Sequence, residues 1–411
     1  MRRSLPLLTL LALSTWLPAC ARTSPVVPPL AQDRQATSVG ARTVPGRLVV
    51  RWKDAAAGRA LLARLGATAG AIEGLATDVV SLPPGLSPEG FREAAGDRLA
   101  YAEPDYVVRT MLTPNDPRFK EQYALKKVEA PAAWKLTRGS EQVKIAIVDT
   151  GIDANHPDLK RQIVGTFNAI GWRGKLGMSG AMDENGHGTH CAGVAAAVTN
   201  NAEGIAGMAP GCRLLIAKAL GEDGSGAASD LARAIRWSVA EGASVISLSV
   251  GCPDDASALR EAVKQAIDAC VVLVAAMGNE GKTLKNYPAA YPGVIAVGAT
   301  TERDTAAAFS TRGSWISVAA PGANILSTTP TYKVFLNDPE AGGMDRRYGT
   351  LSGTSMATPL VAGLAALIKS RHPNWTPAQV KRAIEQTAVG SERADSRIGH
   401  GRINAAAALR K

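Results

Sequence analysis

After its first twenty residues, the 411-residue chain has no apolar run long enough to cross a bilayer, which takes about 20 residues. Histidine is scarce, with five residues, and none stands in the helical His-Glu-x-x-His pattern of a zinc hydrolase. Aromatic residues make up 5%, and the Lys and Arg behind the net charge of +10 are scattered, so no nucleic-acid partner is expected. What remains is a globular composition, with 46% hydrophobic residues and 41 Gly, typical of buried strands and closely packed helices.

The amino terminus has the pattern of an export signal. Arg2 and Arg3 precede an apolar run over residues 5–17, which is too short to remain as a membrane span. The string Leu17-Pro18-Ala19-Cys20 resembles a bacterial lipobox, which predicts a lipid on Cys20 and attachment to the membrane, although a proline is unusual there. Cleavage of residues 1–20 without lipidation is the alternative. Either way the protein is expected to cross the bacterial inner membrane, as a cell-envelope lipoprotein or as a secreted protein.

Two segments follow the signal before the main domain. Residues 21–44 are rich in Pro, Ser, Thr and Ala without periodicity, which predicts a flexible linker. Residues 45–109 carry strand patterns at 48–52, 77–82 and 101–109 and a helical pattern at 55–65, which predict a small α+β unit. A unit of this size is marginally stable alone, so it is expected to need a partner surface. The Pro-rich stretch 113–117 is expected to be an exposed, cleavable boundary.

The main domain, 110–411, is expected to be a doubly wound α/β fold with a mostly parallel sheet. Near-continuous apolar runs predict strands at 143–149, 214–219, 245–250, 271–277 and 294–300, buried on both faces. Helical spacing lies between or after them at 227–241, 256–269 and 354–371. Ligands of such sheets bind beyond the carboxyl ends of the strands, so polar residues there are candidates for function.

Four short segments supply such residues. Asp149 ends the first strand before a glycine, although an Asp there alone is commonly a turn former. His187 lies between two glycines before a small-residue helix expected at 191–198, and the glycines are expected to keep both flanks of its ring free. Asn279 follows the strand at 271–277 and alone would be an ordinary turn residue. Ser355 opens a helix, where serine is usually a cap, but a glycine stands two residues earlier and Pro359 is expected in the first helical turn.

Together the four side chains provide what acyl transfer requires. A serine hydroxyl is a weak nucleophile, so His187 would take its proton and later pass it to the leaving amine. Asp149 would orient the imidazole, and Asn279 with the Ser355 amide would donate hydrogen bonds to the oxyanion of the tetrahedral intermediate. The sequence therefore predicts a serine endopeptidase that acts on proteins and peptides.

The motifs around these residues closely resemble those of the subtilisin-like serine proteases, and within them the thermitase-like branch. The chain order Asp, His, Ser is the subtilisin order. The resemblance runs from about residue 114 to residue 409 and rests on Asp149-Thr150-Gly151-Ile152-Asp153, His187-Gly188-Thr189-His190-Cys191-Ala192-Gly193, the segment around Asn279, and Gly353-Thr354-Ser355-Met356-Ala357-Thr358-Pro359. It implies that the segment 45–109 is a propeptide that assists folding, inhibits its own enzyme and is then clipped off.

The resemblance also implies which residues bind substrate. Two segments would pair with the substrate backbone as added strands, Gly224-Ser225-Gly226 and Ser249-Val250-Gly251. Ala276, Met277 and Gly278 would form the wall of the primary specificity pocket, where Met277 replaces a usually small residue.

A structural calcium ion is a further implication. The ligands that match are the side chains of Asp116 and Asn201 and the carbonyls of Val198 and Ile205. Two positions depart from the family pattern: Asn168 stands where the family has Asp, and Glu203 where a smaller ligand is usual. A metal-free polar loop is the alternative.

The loop 332–348 and the cysteines remain open. The loop is longer than its family counterpart; it is expected either to trim access to the cleft or to be a plain surface insertion. Cys191, Cys212, Cys252 and Cys270 allow several pairings, and Cys191 is expected to be a free, buried thiol, as in thermitase-like proteins.

Two other functions compete with a broadly acting protease. A catalytically silent binding protein could use the same fold. A narrowly targeted processing enzyme is the other alternative, which the long loop and Met277 permit.

Overall fold

The computed structural model describes residues 43–107, 114–171, 174–177 and 180–411. The expected signal peptide, most of the linker and the end of the strand expected at 101–109 lie outside the described residues. The chain divides into two compact units, one containing residues 43–107 and the other the described residues from 114 onward.

The smaller unit is an antiparallel sheet covered by two helices, as an α+β unit was expected to be. Its elements are β1 (Thr43–Trp52), α1 (Ala55–Leu65), β2 (Thr68–Ala71), β3 (Asp78–Ser81), α2 (Pro88–Ala95) and β4 (Leu99–Tyr106). The strand order is β2-β3-β1-β4. The Asp54 carboxylate caps α1 by accepting the Ala56 and Ala57 N–H groups, and Gly66 ends this helix at φ 67°. The sequence analysis missed β2 and α2.

The core of the smaller unit is small. Leu48 and Val50 point from β1 against Leu61 of α1 and Phe91 of α2. Seven buried hydrophobic residues form this cluster, which fits a unit of marginal stability.

The larger unit is built on a ten-stranded, mostly parallel sheet. Its strands, with the separate β13–β14 hairpin, are β5 (Lys144–Asp149), β6 (Ile163–Asn168), β7 (Lys175–Leu176), β8 (Arg213–Lys218), β9 (Val245–Leu248), β10 (Val272–Ala276), β11 (Ile295–Thr300), β12 (Val318–Pro321), β13 (Ile325–Thr328), β14 (Tyr348–Leu351), β15 (Val389–Asp395) and β16 (Gly399–Arg402). The order across the sheet is β15-β16-β12-β11-β10-β9-β5-β8-β6-β7. Among the described strands of this sheet, only the edge pairs β6–β7 and β15–β16 are antiparallel.

This order reverses direction at β5. The chain adds β8 on one side of β5 and then returns to add β9, β10 and β11 on the other. In doubly wound sheets the crevice at such a reversal is where ligands bind. Asp149, the last residue of β5, lies at this point.

Helices cover both faces of the sheet. They are α3 (Tyr123–Lys127), α4 (Ala130–Ala133), α5 (His187–Ala196), α6 (Ala228–Ala240), α7 (Ser257–Asp268), α8 (Thr354–Arg371), α9 (Pro377–Gln386) and α10 (Ala405–Ala408). One core cluster joins α5, α8 and α9 to the sheet, and a second joins α6 and α7 to its opposite face. None of the helices in the described part of the chain is long and apolar enough to span a membrane.

The doubly wound fold is confirmed, with two local corrections. The helix expected at 191–198 begins four residues earlier, at His187. Pro359 was expected in the first turn of α8, but it is the sixth residue of this helix. Its missing N–H therefore leaves the Ser355 carbonyl without its usual helical donor.

Candidate active site

Asp149 and His187 are in direct contact at the carboxyl edge of the sheet. The Asp149 Oδ1 atom lies 2.7 Å from His187 Nδ1 and accepts the Thr150 N–H at 2.8 Å. Asp149 is 1% exposed, whereas the His187 side chain keeps 22% of its surface accessible. The buried carboxylate therefore fixes the ring while leaving the other edge of the imidazole open to a reactant.

The environment changes the acidity of His187. Burial lowers the pKa of the imidazole, but the charge and hydrogen bond of Asp149, together with the neighbouring Cys191, outweigh burial and raise the pKa well above 6.5. The neighbouring His190 has its pKa lowered to about 3 by burial and by the charge of His187. Of these two histidines, only His187 is set to exchange a proton near neutral pH.

The segment before His187 is held by Asp183, a residue that the sequence analysis missed. The fully buried Asp183 carboxylate accepts the N–H groups of Asn185, Gly186 and Thr189, and the Thr189 hydroxyl. These N–H groups surround the start of α5 and would otherwise lack partners. The signal was available, because an Asp shortly before a helix start is a common cap.

The glycines beside His187 have reasons other than the one expected. A Cβ at Gly188 would lie 2.4 Å from the Gly151 carbonyl oxygen, so the helix start packs directly on the turn after β5. Gly186 has φ 110°, and a Cβ there would lie 2.6 Å from Met344. Both glycines allow close packing on their neighbours, whereas the expectation was free space around the ring.

Ser355 lies in the first turn of α8, next to α5 and β9. Because Pro359 has no N–H, the Ser355 carbonyl lacks its helical donor and accepts instead the Ser249 hydroxyl at 2.8 Å. The Cys191 thiol approaches the same carbonyl at 3.5 Å and His187 Nδ1 at 3.8 Å. A single buried side chain thus contacts both the histidine and the serine backbone.

The Ser355 hydroxyl donates to the Ser249 carbonyl at 3.2 Å. Among the contacts of the described residues, it makes no hydrogen bond to His187. Catalytic hydrogen bonds of this type commonly tighten only when substrate binds, so this geometry is compatible with a nucleophile and its base.

Asn279 is exposed at the end of β10 and is fixed by the start of α8. Its Oδ1 atom accepts the Thr354 N–H at 2.8 Å and the Thr354 hydroxyl at 3.1 Å. With the oxygen engaged, the Nδ2 donors point away from Thr354. A Cβ at Gly353 would lie 3.3 Å from Nδ2, so glycine keeps room beside this amide.

The two predicted substrate segments line one hollow with the histidine. It has a volume of about 520 Å³. Its lining includes His187, Leu220, Gly224, Ser225, Gly226, Ser249, Val250, Gly251, Phe335 and Leu336. Leu220 and the loop residues Phe335 and Leu336 were not assigned from the sequence.

Met277 was expected in the wall of the primary specificity pocket, in place of a usually small residue, but its side chain is fully buried. It belongs to the core cluster shared with α6 and α7, on the same face as Ala275. The side chain of Ala276 points to the opposite face of the sheet and is 4% exposed. Met277 therefore fills the core instead of the pocket.

The cysteines of the site region are reduced. Cys191 is a free, buried thiol, as expected, and burial raises its pKa. Cys212 and Cys252 are also free.

Most residues expected to bind calcium gather in one loop, with one exception. Asp116 accepts the Asn200 and Asn201 N–H groups at 3.0 and 3.3 Å. Asn168 instead ends β6, and its side chain caps its own turn through the Ile170 N–H.

Asp158 occupies the place expected for Asn168. Its carboxylate is fully buried and accepts the Asn201 side-chain amide at 2.8 Å and the Ile205 N–H at 3.0 Å. The Val198 N–H binds the Asp158 carbonyl. Asp158 ends the string His156-Pro157-Asp158 shortly after the Asp149 motif, and its role was not predicted from the sequence.

The charges of this loop fit a bound cation. Burial and the negative charge of Asp158 raise the pKa of Asp116, while the Asn200 and Asn201 N–H groups lower it in part. No ion pair between either carboxylate and a basic side chain is found in the described part of the chain. Glu203 does have such a partner, Arg347, at 2.9 Å. Two close buried carboxylates without a basic partner are suited to a hard divalent ion.

Comparisons with known proteins agree with this geometry. Residues 140–401 match the family described as the Subtilase family. The chain is 45% identical over 294 residues to thermitase of Thermoactinomyces vulgaris, covering 71% of this chain and 98% of thermitase. It is 43% identical over 305 residues to the thermophilic serine proteinase of Bacillus sp. strain AK1, covering 74% and 71% of the two chains.

A solved structure is also similar. A protease from Pseudoalteromonas arctica PAMC 21717 matches with a TM-score of 0.66 and 31% identity, covering 73% of this chain and 99% of that one. Sequence and structure therefore agree that the chain belongs to the subtilase family and is a subtilisin-like serine endopeptidase that hydrolyses peptide bonds.

Proposed function

We propose that this endopeptidase cleaves proteins through an acyl-enzyme on Ser355. His187 takes the proton of the Ser355 hydroxyl as the serine oxygen attacks the peptide carbonyl, and the tetrahedral intermediate then expels the amine, which His187 protonates. Water, activated by the same imidazole, releases the acid product. The single observation that carries this proposal is the 2.7 Å contact between Asp149 and the partly accessible His187.

Asp149 and Asn279 stabilise the charges that develop. The Asp149 carboxylate holds the Nδ1 proton in place and stabilises the imidazolium, which is why the pKa of His187 is raised. Asn279 Nδ2 and the Ser355 N–H donate to the oxyanion. The Thr354 contacts support this role because they hold the Asn279 oxygen away from the reacting carbonyl.

Substrate is held as an added strand. Gly224, Ser225 and Gly226 pair with one edge of its backbone, and Ser249, Val250 and Gly251 with the other. Ala276 and Gly278 border the primary pocket. Main-chain pairing of this type tolerates many peptide sequences.

The protein is made as a zymogen that is exported and cuts its own chain. Residues 1–20 direct export, with Cys20 as a lipid attachment site, and the unit within 45–109 is the inhibitory propeptide. Processing is expected between residues 109 and 115. Residues 108–113 lie outside the described ones, and Asn115 and Asp116 are already bonded to the loop at Asn200.

A structural calcium ion completes the fold. The residues that would hold it are Asp116, Asp158 and Asn201, with the carbonyls of Val198 and Ile205. The ion would neutralise the two buried carboxylates, and it takes no part in the chemistry.

Expression of the full chain beside its Ser355→Ala variant tests the proposal. We expect the parent to lose about 110 amino-terminal residues and the variant to remain full length, since loss of a triad member reduces turnover by several orders of magnitude. A fluorophosphonate probe should label the parent on Ser355 alone. Equal processing together with unlabelled Ser355 would refute the proposed nucleophile.

A further inference from the structure

The long loop before Ser355 is attached to the segment that carries the catalytic histidine. The Phe335 N–H donates to the Glu184 carbonyl and the Leu336 N–H to the Asn185 carbonyl, both at 3.0 Å. Glu184 and Asn185 lie just before His187. The loop therefore extends the cleft on the side of His187. A plain surface insertion would not make these hydrogen bonds.

Internal contacts hold the loop in this position. The Met344 N–H donates to the Leu336 carbonyl at 2.8 Å, and the Asn337 side-chain amide donates to the Met344 carbonyl at 2.6 Å. Val334 and Met344 are 6% and 5% exposed and pack on Gly186. Buried anchors on both sides of residues 335–336 make this part of the loop a fixed wall.

The side chains that the wall presents are apolar. Phe335 and Leu336 line the same hollow as Leu220 and Val250, and Phe335 is 40% exposed. When a ligand covers an exposed aromatic side chain at the edge of a hollow, the burial of its apolar surface makes binding more favourable. The hollow thus has apolar surface on the loop side as well as on the sheet side.

We infer that Phe335 and Leu336 are specificity-determining residues that favour substrates with a large apolar side chain at one position beside His187. The inference rests on the proposed function of this cleft and goes beyond it, because it assigns selectivity to the loop 332–348. Small or charged side chains at that position leave the apolar wall uncovered or lose hydration without a partner.

A positional peptide library, with each residue around the scissile bond varied in turn, tests the assignment. The parent should prefer Leu or Phe over Gly at one position. Leu336→Ala should reduce kcat/KM for the Leu or Phe peptide roughly tenfold and change the Gly peptide by less than about twofold. Phe335→Ala should act at the same position. Leu336→Trp should narrow the hollow, so that the preference shifts towards smaller side chains.

Arg346→Ala is the matched control, because Arg346 is exposed on the same loop and does not line the hollow. Its cleavage profile should equal that of the parent. Labelling of Ser355 by the fluorophosphonate probe counts active sites, which separates selectivity from misfolding. If the parent cleaves and is labelled but the profiles of both alanine variants match its own, the inference is wrong and the proposed function stands. If the parent neither cleaves nor is labelled, the proposed function itself fails.

Discussion

The Ser249 hydroxyl donates a 2.8 Å hydrogen bond to the carbonyl of Ser355. This carbonyl lacks its usual helical partner, because Pro359, four residues later, has no N–H. The end of β9 is thereby joined to the helix turn that carries the proposed nucleophile. A proline that would normally weaken a helix here frees a carbonyl for a tertiary contact. The position of Ser355 thus depends on a residue of a segment proposed to bind substrate.

Ser249→Ala should destabilise the fold by about 1 kcal/mol, because the Ser355 carbonyl keeps only the weaker thiol donor. In a Pro359→Ala background the restored N–H can serve that carbonyl, so the cost of Ser249→Ala should shrink. Urea unfolding of the four proteins, all made in Ser355→Ala to prevent autolysis, gives the coupling energy. Equal costs in both backgrounds would show that the two groups do not share the carbonyl.

Activity should fall at acid pH with a midpoint above 6.5, because catalysis needs neutral His187 and Asp149 raises its pKa. Asp149→Asn removes that charge, so the pKa should drop and the acid limb of kcat/KM should move to lower pH. We also expect kcat to fall by about 10⁴, since the imidazole loses its preferred tautomer.

NMR titration of the histidine rings in the Ser355→Ala protein measures the pKa directly. His190 has a pKa of about 3, so its own protonation does not contribute to the titration near neutrality. An Asp149→Asn protein with the parental His187 midpoint would remove Asp149 as the cause of the shift.

Asn279→Ala should reduce kcat by roughly 10²–10³ with little change in KM, the size known for the corresponding asparagine of subtilisin. Thr354→Val is the matched control. It keeps the backbone N–H bonded to Asn279 and removes only the hydroxyl, so its loss in kcat should be much smaller. Equal losses in both variants would indicate a general disturbance of the turn before Ser355, and the amide would lose its assigned role.

The parts of the site that follow from sequence are those with local signals. The apolar run ending at Asp149 predicts a buried parallel strand, and the strand is found at Lys144–Asp149. The helix that begins at Thr354 was predicted to the residue, because its apolar face is long and a glycine precedes it. These features depend on neighbours in the chain.

The parts that could not be predicted depend on contacts between distant segments. Met277 comes directly after β10, and nothing near it in the sequence shows towards which face of the sheet its side chain points; only the folded sheet places it in the core. The bonds from Phe335 and Leu336 to the segment before His187 join residues about 150 positions apart. The edge strand β15 (Val389–Asp395) has no apolar run, so nothing in its own sequence indicated a strand.

Calcium should raise the melting temperature of the Ser355→Ala protein, and a chelator should lower it. An ion at 100 times its dissociation constant stabilises by about 2.7 kcal/mol, which for a chain of this size corresponds to roughly 3–4 °C. Asp158→Asn should abolish most of this increment. Asn168→Ala, at the position first expected to bind the ion, should retain it, because Asn168 only caps its own turn.

The calcium increment should also depend on pH. The pKa of Asp116 is raised in the folded protein, so the metal-free protein loses stability as the pH rises through that pKa and the carboxyl becomes charged. A bound calcium ion offsets this loss of stability. As the pH falls through the same pKa, a proton competes with the ion for the Asp116 carboxylate, so the calcium increment should shrink. Differential scanning calorimetry with and without calcium at several pH values measures both effects. A calcium increment that survives Asp158→Asn but is lost in Asn168→Ala would move the ion to the end of β6.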